Sequence, residues 1–280
     1  MYKNIYDFIF SSFEESFNYM QPYLSNYQEF SKEISKQIQI KDNNNVQYAF
    51  DVEIDRIIIN NIKKFSITGH IFSEESGFFE FGDNKYRVVY DPFCNSSLAT
   101  RTFNEAAVGI SIYTYNYEFI TSAIMELQTG ILAIVENKVT NFYQIQSKEK
   151  LHFKTSKKVA IEDSWVVVTL ENSDERKEMN SIIKMLEKPE RLIISSGHIY
   201  WLKLAAGFID AYLDPFGGER LYEMFASTVA QYSGCIVTNK NGESFDPAKY
   251  LKTFFKDPNY LYYSVAANSK ELHKEIIKIL

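Results

Sequence analysis

Apolar residues in 4–20 recur at Ile5, Phe8, Ile9, Phe13, Phe17 and Met20, mostly three and four apart, and this spacing predicts an amphipathic helix. Pro22 then ends it or opens the next helix at its first turn. The stretch 28–45 is polar, with a loop at Asp42-Asn43-Asn44-Asn45. From Asp51 to Lys64 the helical period returns: Ile54, Ile57, Ile58 and Ile62 share a face, while Asp51 and Asp55 stand one turn apart on another. Asp51 reads as an acidic residue favoured near a helix N-terminus, and Asp55 as a solvated charge. Residues 66–72 read as a short connection into Glu74-Glu75.

Beyond Val88 the pattern changes to short buried runs, and 108–113, 120–126 and 130–136 read as successive sheet strands. Another apolar run lies at 165–170. Ser173 opens a helix with Met179, Ile182, Ile183 and Leu186 on its buried side and Pro189 after its end. Strands at 191–195, 208–213, 236–238 and 261–266 alternate with helices at 199–206, 219–232 and 270–280. Helices followed by strands, then alternating strands and helices, predict layers of helix and sheet around a shared core. The connection at 148–158 contains neither Gly nor Pro and reads as packed rather than as a flexible linker.

Composition narrows the function classes. The chain has 280 residues, 45% of them hydrophobic, and is unusually aromatic with 20 Tyr and 22 Phe. A net charge of −6 with no basic stripe argues against nucleic acid, since Lys148, Lys150, Lys154, Lys157 and Lys158 are interleaved with Glu149 as on a solvated loop. No run reaches the ~18 apolar residues of a membrane span, and the first residues lack the basic region of a signal peptide. Cys94 and Cys235 form neither a disulfide framework nor a metal-ligand spacing, which fits a reducing cytoplasm.

The chemistry centres on Tyr90-Asp91-Pro92-Phe93-Cys94-Asn95-Ser96-Ser97. A carboxylate at a strand end, barred from helix by the following Pro, precedes three residues suited to capping a helix. Carboxylates for a cation beside backbone donors for an anion are the parts of many phosphate-handling sites. Upstream stands Phe72-Ser73-Glu74-Glu75-Ser76-Gly77. Downstream come Ala205-Ala206-Gly207-Phe208-Ile209-Asp210-Ala211-Tyr212, Ser233-Gly234-Cys235, and Ser264-Val265-Ala266-Ala267-Asn268. In order and spacing, from about residue 45 to 280, this set resembles the inositol monophosphatase family, within the magnesium-dependent, lithium-sensitive phosphatases that include fructose-1,6-bisphosphatase. The family pattern is a helix Asp, Glu-Glu-Ser, Asp-Pro-x-Asp-Gly-Thr, Ala-x-Gly-x-x-Asp-Ala-Tyr, Trp-Asp-x-Ala-Ala-Gly and Glu-Ala-Gly-Gly.

The resemblance implies a single α/β domain over 1–280, an α-β-α-β-α sandwich with the metal-site motifs in 1–150 and alternating strands and helices in 151–280. It implies Glu74, Asp91 and the Phe93 carbonyl as magnesium ligands and Glu74, Ser96 and Asp51 as catalytic residues, Ser96 with Asp51 positioning the nucleophilic water. Asp55, one turn after Asp51, is then either a support behind the metal ligands or a solvated charge, the second reading being favoured. It also implies phosphate binding at Asn95 and Ser96, a homodimer, and a phosphorylated small molecule as ligand. Four positions depart from the pattern, the first being Asn95 in place of the Gly, where a backbone at φ > 0 costs more than for glycine although Asn tolerates it best. Cys94 replaces the second Asp of Asp-Pro-x-Asp-Gly-Thr, and a thiol is a poor magnesium ligand. Tyr222 stands where Trp-Asp carries its Asp, with Glu223 turned about 100° away along a helix; a one-residue shift, as the Tyr-Glu pair of the fructose-bisphosphatase branch implies, would bring Glu223 into that place. Tyr232 stands for the Glu of Glu-Ala-Gly-Gly. Cys94 itself reads as a small buried residue in a repurposed cleft.

The implied cofactor is thus one Mg²⁺, with the second ion in question. Three functions remain open: a phosphatase-fold protein with a degraded two-metal site, weak or silent in catalysis; an active magnesium-dependent phosphatase on a sugar or inositol phosphate; and an interaction module presenting aromatic residues such as Tyr260, Tyr262 and Tyr263.

Overall fold

The computed structural model describes residues 2–24, 37–40, 46–99, 105–170, 180 and 182–280. The chain forms two compact units, Met1–Ala133 with Phe142–Leu151, and Ile134–Asn141 with His152–Leu280. Each is taken by itself.

The first unit opens with α1 (Lys3–Leu24), whose buried stripe includes Ile5, Phe8, Ile9, Phe13, Phe17 and Met20. Pro22 lies inside its last turn, so the helix runs past the stop that the proline predicts. A two-stranded ribbon of β1 (Gln37–Ile40) and β2 (Val46–Tyr48) leads into α2 (Ala49–Lys64). The loop expected at Asp42-Asn43-Asn44-Asn45 lies outside the described residues.

An eight-stranded sheet follows, built from β3 (Gly69–Ser73), β4 (Gly77–Phe81), β5 (Tyr86–Cys94), β6 (Ala107–Thr114), β7 (Phe119–Glu126), β8 (Ile131–Glu136), β9 (Val139–Gln144) and β10 (Lys150–Leu151), of which the β8 and β9 residues in 134–141 are counted with the second unit. The short helix α3 (Ser96–Ala99) lies between β5 and β6. The strand order is β10-β9-β8-β7-β6-β5-β3-β4. Residues 66–72 are therefore not a mere connection, because 69–73 pair in parallel with β5, Ser73 opposite Tyr90. Strand β5 is buried along its whole length, and this makes it the axis of the unit. A strand buried on both faces reads as a continuous apolar run, as Val88-Val89-Tyr90 does.

The second unit holds a five-stranded sheet of β11 (Trp165–Val168), β12 (Arg191–Ile194), β13 (Ala211–Asp214), β14 (Ile236–Asn239) and β15 (Ser264–Ala267), in the order β12-β11-β13-β15-β14. Strands β12, β11 and β13 are parallel, while β15 runs antiparallel to both β13 and β14. The helices are α4 (Ile183–Leu186), α5 (His198–Ala206), α6 (Leu221–Met224), α7 (Thr228–Ser233), α8 (Pro247–Phe254) and α9 (Lys270–Ile279). The start of the helix expected from Ser173 lies outside the described residues, and the one expected over 219–232 is broken by a 3₁₀ turn at Phe225–Ser227.

Alternation along the strands covers the two faces of this sheet differently. Val166, Val168, Ala211, Leu213, Val265 and Ala267 pack with Met185, Leu272 and Ile276. Tyr212, pointing the other way, meets the Trp201 ring edge-on at 4.7 Å. Gly207 ends α5 in the left-handed region, φ 79°, where a Cβ would stand 2.2 Å from the Lys154 carbonyl oxygen. Buried Asp210 then ties three strands together: its carboxylate accepts from the Trp165 N–H at 2.8 Å and the Asn268 amide at 2.7 Å. The Gly-x-x-Asp-Ala-Tyr stretch thus serves the frame of the sheet. Of the three C-terminal tyrosines, Tyr262 is buried between Phe245 and Tyr250, with Tyr260 and Tyr263 exposed.

Candidate functional site

The site residues of the first unit come from the β3–β4 turn, β5, α2 and α3, and each is placed by local chemistry. Glu74, Glu75 and Ser76 form the three-residue turn of the β3–β4 hairpin, where Ser73 pairs with Gly77. The Ser73 hydroxyl accepts from the N–H groups of Glu75 and Ser76, both at 3.1 Å, which curls the turn back on the strand end. The Glu74 N–H donates to the Tyr90 carbonyl at 3.1 Å. Parallel pairing of β3 with β5 therefore sets Glu74 and Asp91 at neighbouring strand positions, one residue beyond the Ser73–Tyr90 pair.

Asp91 begins a bulge. Between the pairs Asp91–Gly109 and Cys94–Ala107, strand β5 advances three residues and β6 two. Pro92 has no N–H to give to a ladder, and the Asp91 Oδ1 accepts the Phe93 N–H at 3.0 Å, so both features favour the bulge. Asp91 is buried, 5% exposed, rather than displayed at an open loop tip as a strand-ending Asp-Pro suggests. The Phe93 ring packs on Phe50 of α2 at 4.4 Å, and Phe50 stacks on Tyr48 at 5.3 Å. This aromatic column brings the start of α2 to the bulge, and Asp51 with it. The buried Asp51 carboxylate accepts the Tyr48 N–H at 2.9 Å and so caps its own helix.

Cys94 is a buried thiol outside any disulfide, at the end of the bulge, as its reading as a small buried residue has it. Asn95 follows with φ 68°, in the left-handed region that a glycine would enter without cost. Its carbonyl accepts from Leu98 and Ala99 at 3.0 and 2.9 Å, and its side-chain amide donates to the Glu105 carbonyl at 3.1 Å. Ser96 is the first residue of α3. Asn95→Ala is expected to lose the anchoring bond and to pay for the positive φ, destabilising the protein by about 1–2 kcal/mol, whereas Asn95→Gly stays within about 1 kcal/mol of the parent. Denaturant titration of both variants checks this, and equal losses would count against the backbone reading.

Asp55 departs most from expectation. It is not a solvated charge but 5% exposed. Its Oδ1 accepts from the hydroxyls of Ser73 and Tyr90, each at 2.6 Å, and its Oδ2 from the Ser76 hydroxyl. Burial, and then the Asp55 charge, push the Tyr90 phenol well above its ordinary range, which keeps it a donor. The one sequence signal for this residue is its place one helical turn after Asp51.

The second unit carries the remaining positions. Tyr222 and Glu223 are half-buried on α6. The Glu223 Oε2 accepts the Arg220 N–H at 2.7 Å, so this carboxylate caps its own helix. Burial lowers the His198 pKa to about 4, with the Glu223 backbone acting in the opposite sense. Burial likewise pushes the Cys235 thiol up to about 11, which leaves it unreactive at neutral pH. Among the described residues no helix is long and apolar enough to cross a membrane.

No protein-family model matches the chain, and no curated protein matches it. Solved structures do. The extragenic suppressor protein SuhB of Bartonella henselae aligns with a TM-score of 0.77 at 14% identity, covering 98% of this chain and 97% of that one. An inositol monophosphatase from Thermotoga maritima gives 0.72 at 14% identity over 98% and 95%. A protein of Pyrococcus horikoshii, described as having similarities to inositol-1 monophosphatase, gives 0.70 at 20% identity over 99% and 96%. The chain has the layered α/β fold of these proteins, as its ordered motifs lead one to expect.

Proposed function

We propose that this protein is an inositol-monophosphatase-like protein with half of a two-metal site, weak or silent as a phosphatase, which binds a phosphorylated small molecule or a protein partner. The observation that carries the reading is the donor chemistry of the β5 bulge. Glu74, Asp91 and the Phe93 carbonyl offer hard oxygen, which suits one Mg²⁺. Three residues after Asp91 stands the buried Cys94 thiol, a soft donor that does not suit magnesium. Tyr222 cannot supply a carboxylate, and that of Glu223 already holds the Arg220 N–H.

A bound magnesium ion would supply Lewis-acid stabilisation of phosphate charge and a more acidic water. For that chemistry the chain contributes Asp51 and Ser96 as groups to orient water, and the N–H groups of Asn95 and Ser96 to face phosphate. The alternative is an active magnesium-dependent phosphatase on a sugar or inositol phosphate monoester. It is favoured by the parallel strand ends that keep Glu74 and Asp91 adjacent, and by inositol monophosphatase being the description of a structural relative.

Phosphate release from a panel of inositol and sugar phosphates, with and without Mg²⁺, separates the two. Turnover at or near background from folded protein is expected. Robust turnover that EDTA abolishes would overturn the degraded-site reading and make Glu223 the residue to replace.

A further inference from the structure

We propose that Asp55 is a positioning residue that sets Glu74 against Asp91 without touching the cation those two would hold. The inference rests on the one-cation reading above, but the geometry behind it is independent of any metal. Asp55 reaches three hydroxyls, and all three belong to the elements that carry the two carboxylates. Ser73 and Ser76 lie on either side of Glu74 and Glu75, so their bonds to Asp55 clamp both ends of the turn. Tyr90 immediately precedes Asp91, so the third bond holds β5 at the place where the bulge begins.

A buried carboxylate is strongly destabilised unless hydrogen bonds satisfy it. Here three O–H donors do so, and each is directed at a different part of the site. The Ser73 hydroxyl has a double use, donating to Asp55 while accepting from the N–H groups of Glu75 and Ser76. Removing Asp55 therefore frees the hydroxyl whose orientation fixes the turn. The Glu74 N–H bond to the Tyr90 carbonyl would then lose its flanking supports, while the β3–β5 ladder behind it stays in place. Groups that orient metal ligands from outside the coordination sphere commonly alter metal affinity by about 10–100-fold when mutated.

Charge and position are separable at this residue. Asp55→Asn keeps an acceptor oxygen for Ser73 and Tyr90, and its amide can donate to the Ser76 oxygen, since a hydroxyl also accepts. Asp55→Ala removes every bond. Ser76→Ala, at an exposed position, removes one and serves as the variant least disturbing to folding.

The test pairs amide hydrogen exchange with Mn²⁺ titration on the full chain of all three variants. In Asp55→Ala the Glu74, Glu75 and Ser76 amides are expected to lose protection while those of β6 and β7 keep it, and Mn²⁺ affinity to fall by about 10-fold or more. Asp55→Asn should stay within about threefold of the parent in affinity, because its geometry is kept, and Ser76→Ala should fall between. Unchanged protection of the turn in Asp55→Ala overturns the inference, whatever the metal does. Equal losses in Asp55→Asn and Asp55→Ala also overturn it, by making charge the cause. If the parent binds no Mn²⁺ while the turn still loses protection, the one-cation reading fails and the positioning role of Asp55 stands.

Discussion

Asp91→Asn is expected to weaken Mg²⁺ or Mn²⁺ binding by about 100-fold or more, roughly 2.7 kcal/mol, with little change in stability. The asymmetry follows from what each part of this side chain does. Its Oδ1 accepts the Phe93 N–H at 3.0 Å, and an asparagine oxygen can do the same, so the bulge survives. The negative charge is what the substitution removes, and a divalent cation depends on it far more than a backbone N–H does. Calorimetric titration with either cation, alongside a thermal melt of the same protein, gives both quantities. A variant that binds as tightly as the parent would place the cation away from the β5 bulge and sink the one-site reading.

Cys94→Asp is expected to make the stability of the protein depend on magnesium. The thiol lies 4% exposed at the end of the bulge, three residues after the buried Asp91. The Cys94 sulfur lies within 4.8 Å of the Asp91 carboxylate, so a second buried carboxylate there stands beside the first and should cost about 3 kcal/mol or more in EDTA. For a chain of this size that corresponds to a melting temperature lower by roughly 6–12 °C. Cation binding to the folded state then returns about 2.7 kcal/mol at a hundred times the dissociation constant. Melts of parent and variant in EDTA and in Mg²⁺ read this out. A variant that is destabilised equally in both would mean that the bulge is closed to cations whatever the residue at position 94. Recovery in Mg²⁺ together with phosphate release would identify Cys94 as the substitution that silenced the site.

The strand-rich part of the fold was legible because its information is local. Each of the runs 108–113, 120–126 and 130–136 is a short, mostly buried apolar segment, and β6, β7 and β8 fall on them within about one residue. Strands β4 and β9 were not, since Gly77–Phe81 alternates half-buried with exposed positions and Val139–Gln144 mixes exposed with buried ones. The long helix expected over 219–232 failed for a related reason: its period is helical, but the 3₁₀ turn at Phe225–Ser227 interrupts it at a fully buried position.

The site divides along the same line. The types and spacing of Glu74, Asp91, Cys94, Asn95 and Tyr222 are properties of the chain, and by themselves they determined which donors are hard, which are missing, and which backbone must turn left-handed. Asn95 does so, at φ 68°. The tertiary structure alone decided what those residues touch. Asp55 reads as one more charge on a polar helix face until β3 and β5 pair in parallel and bring Ser73, Ser76 and Tyr90 around it from 18, 21 and 35 residues away. Glu223 reads as a carboxylate that only a one-residue shift would bring to a metal, and it is the start of α6 at Leu221 that turns its oxygen onto the Arg220 N–H. Hydrophobic period and ligand chemistry are written residue by residue. Burial of a charge and the partners that satisfy it are set only when distant segments meet, and in this protein those contacts separate a solvated aspartate from one that holds the site in place.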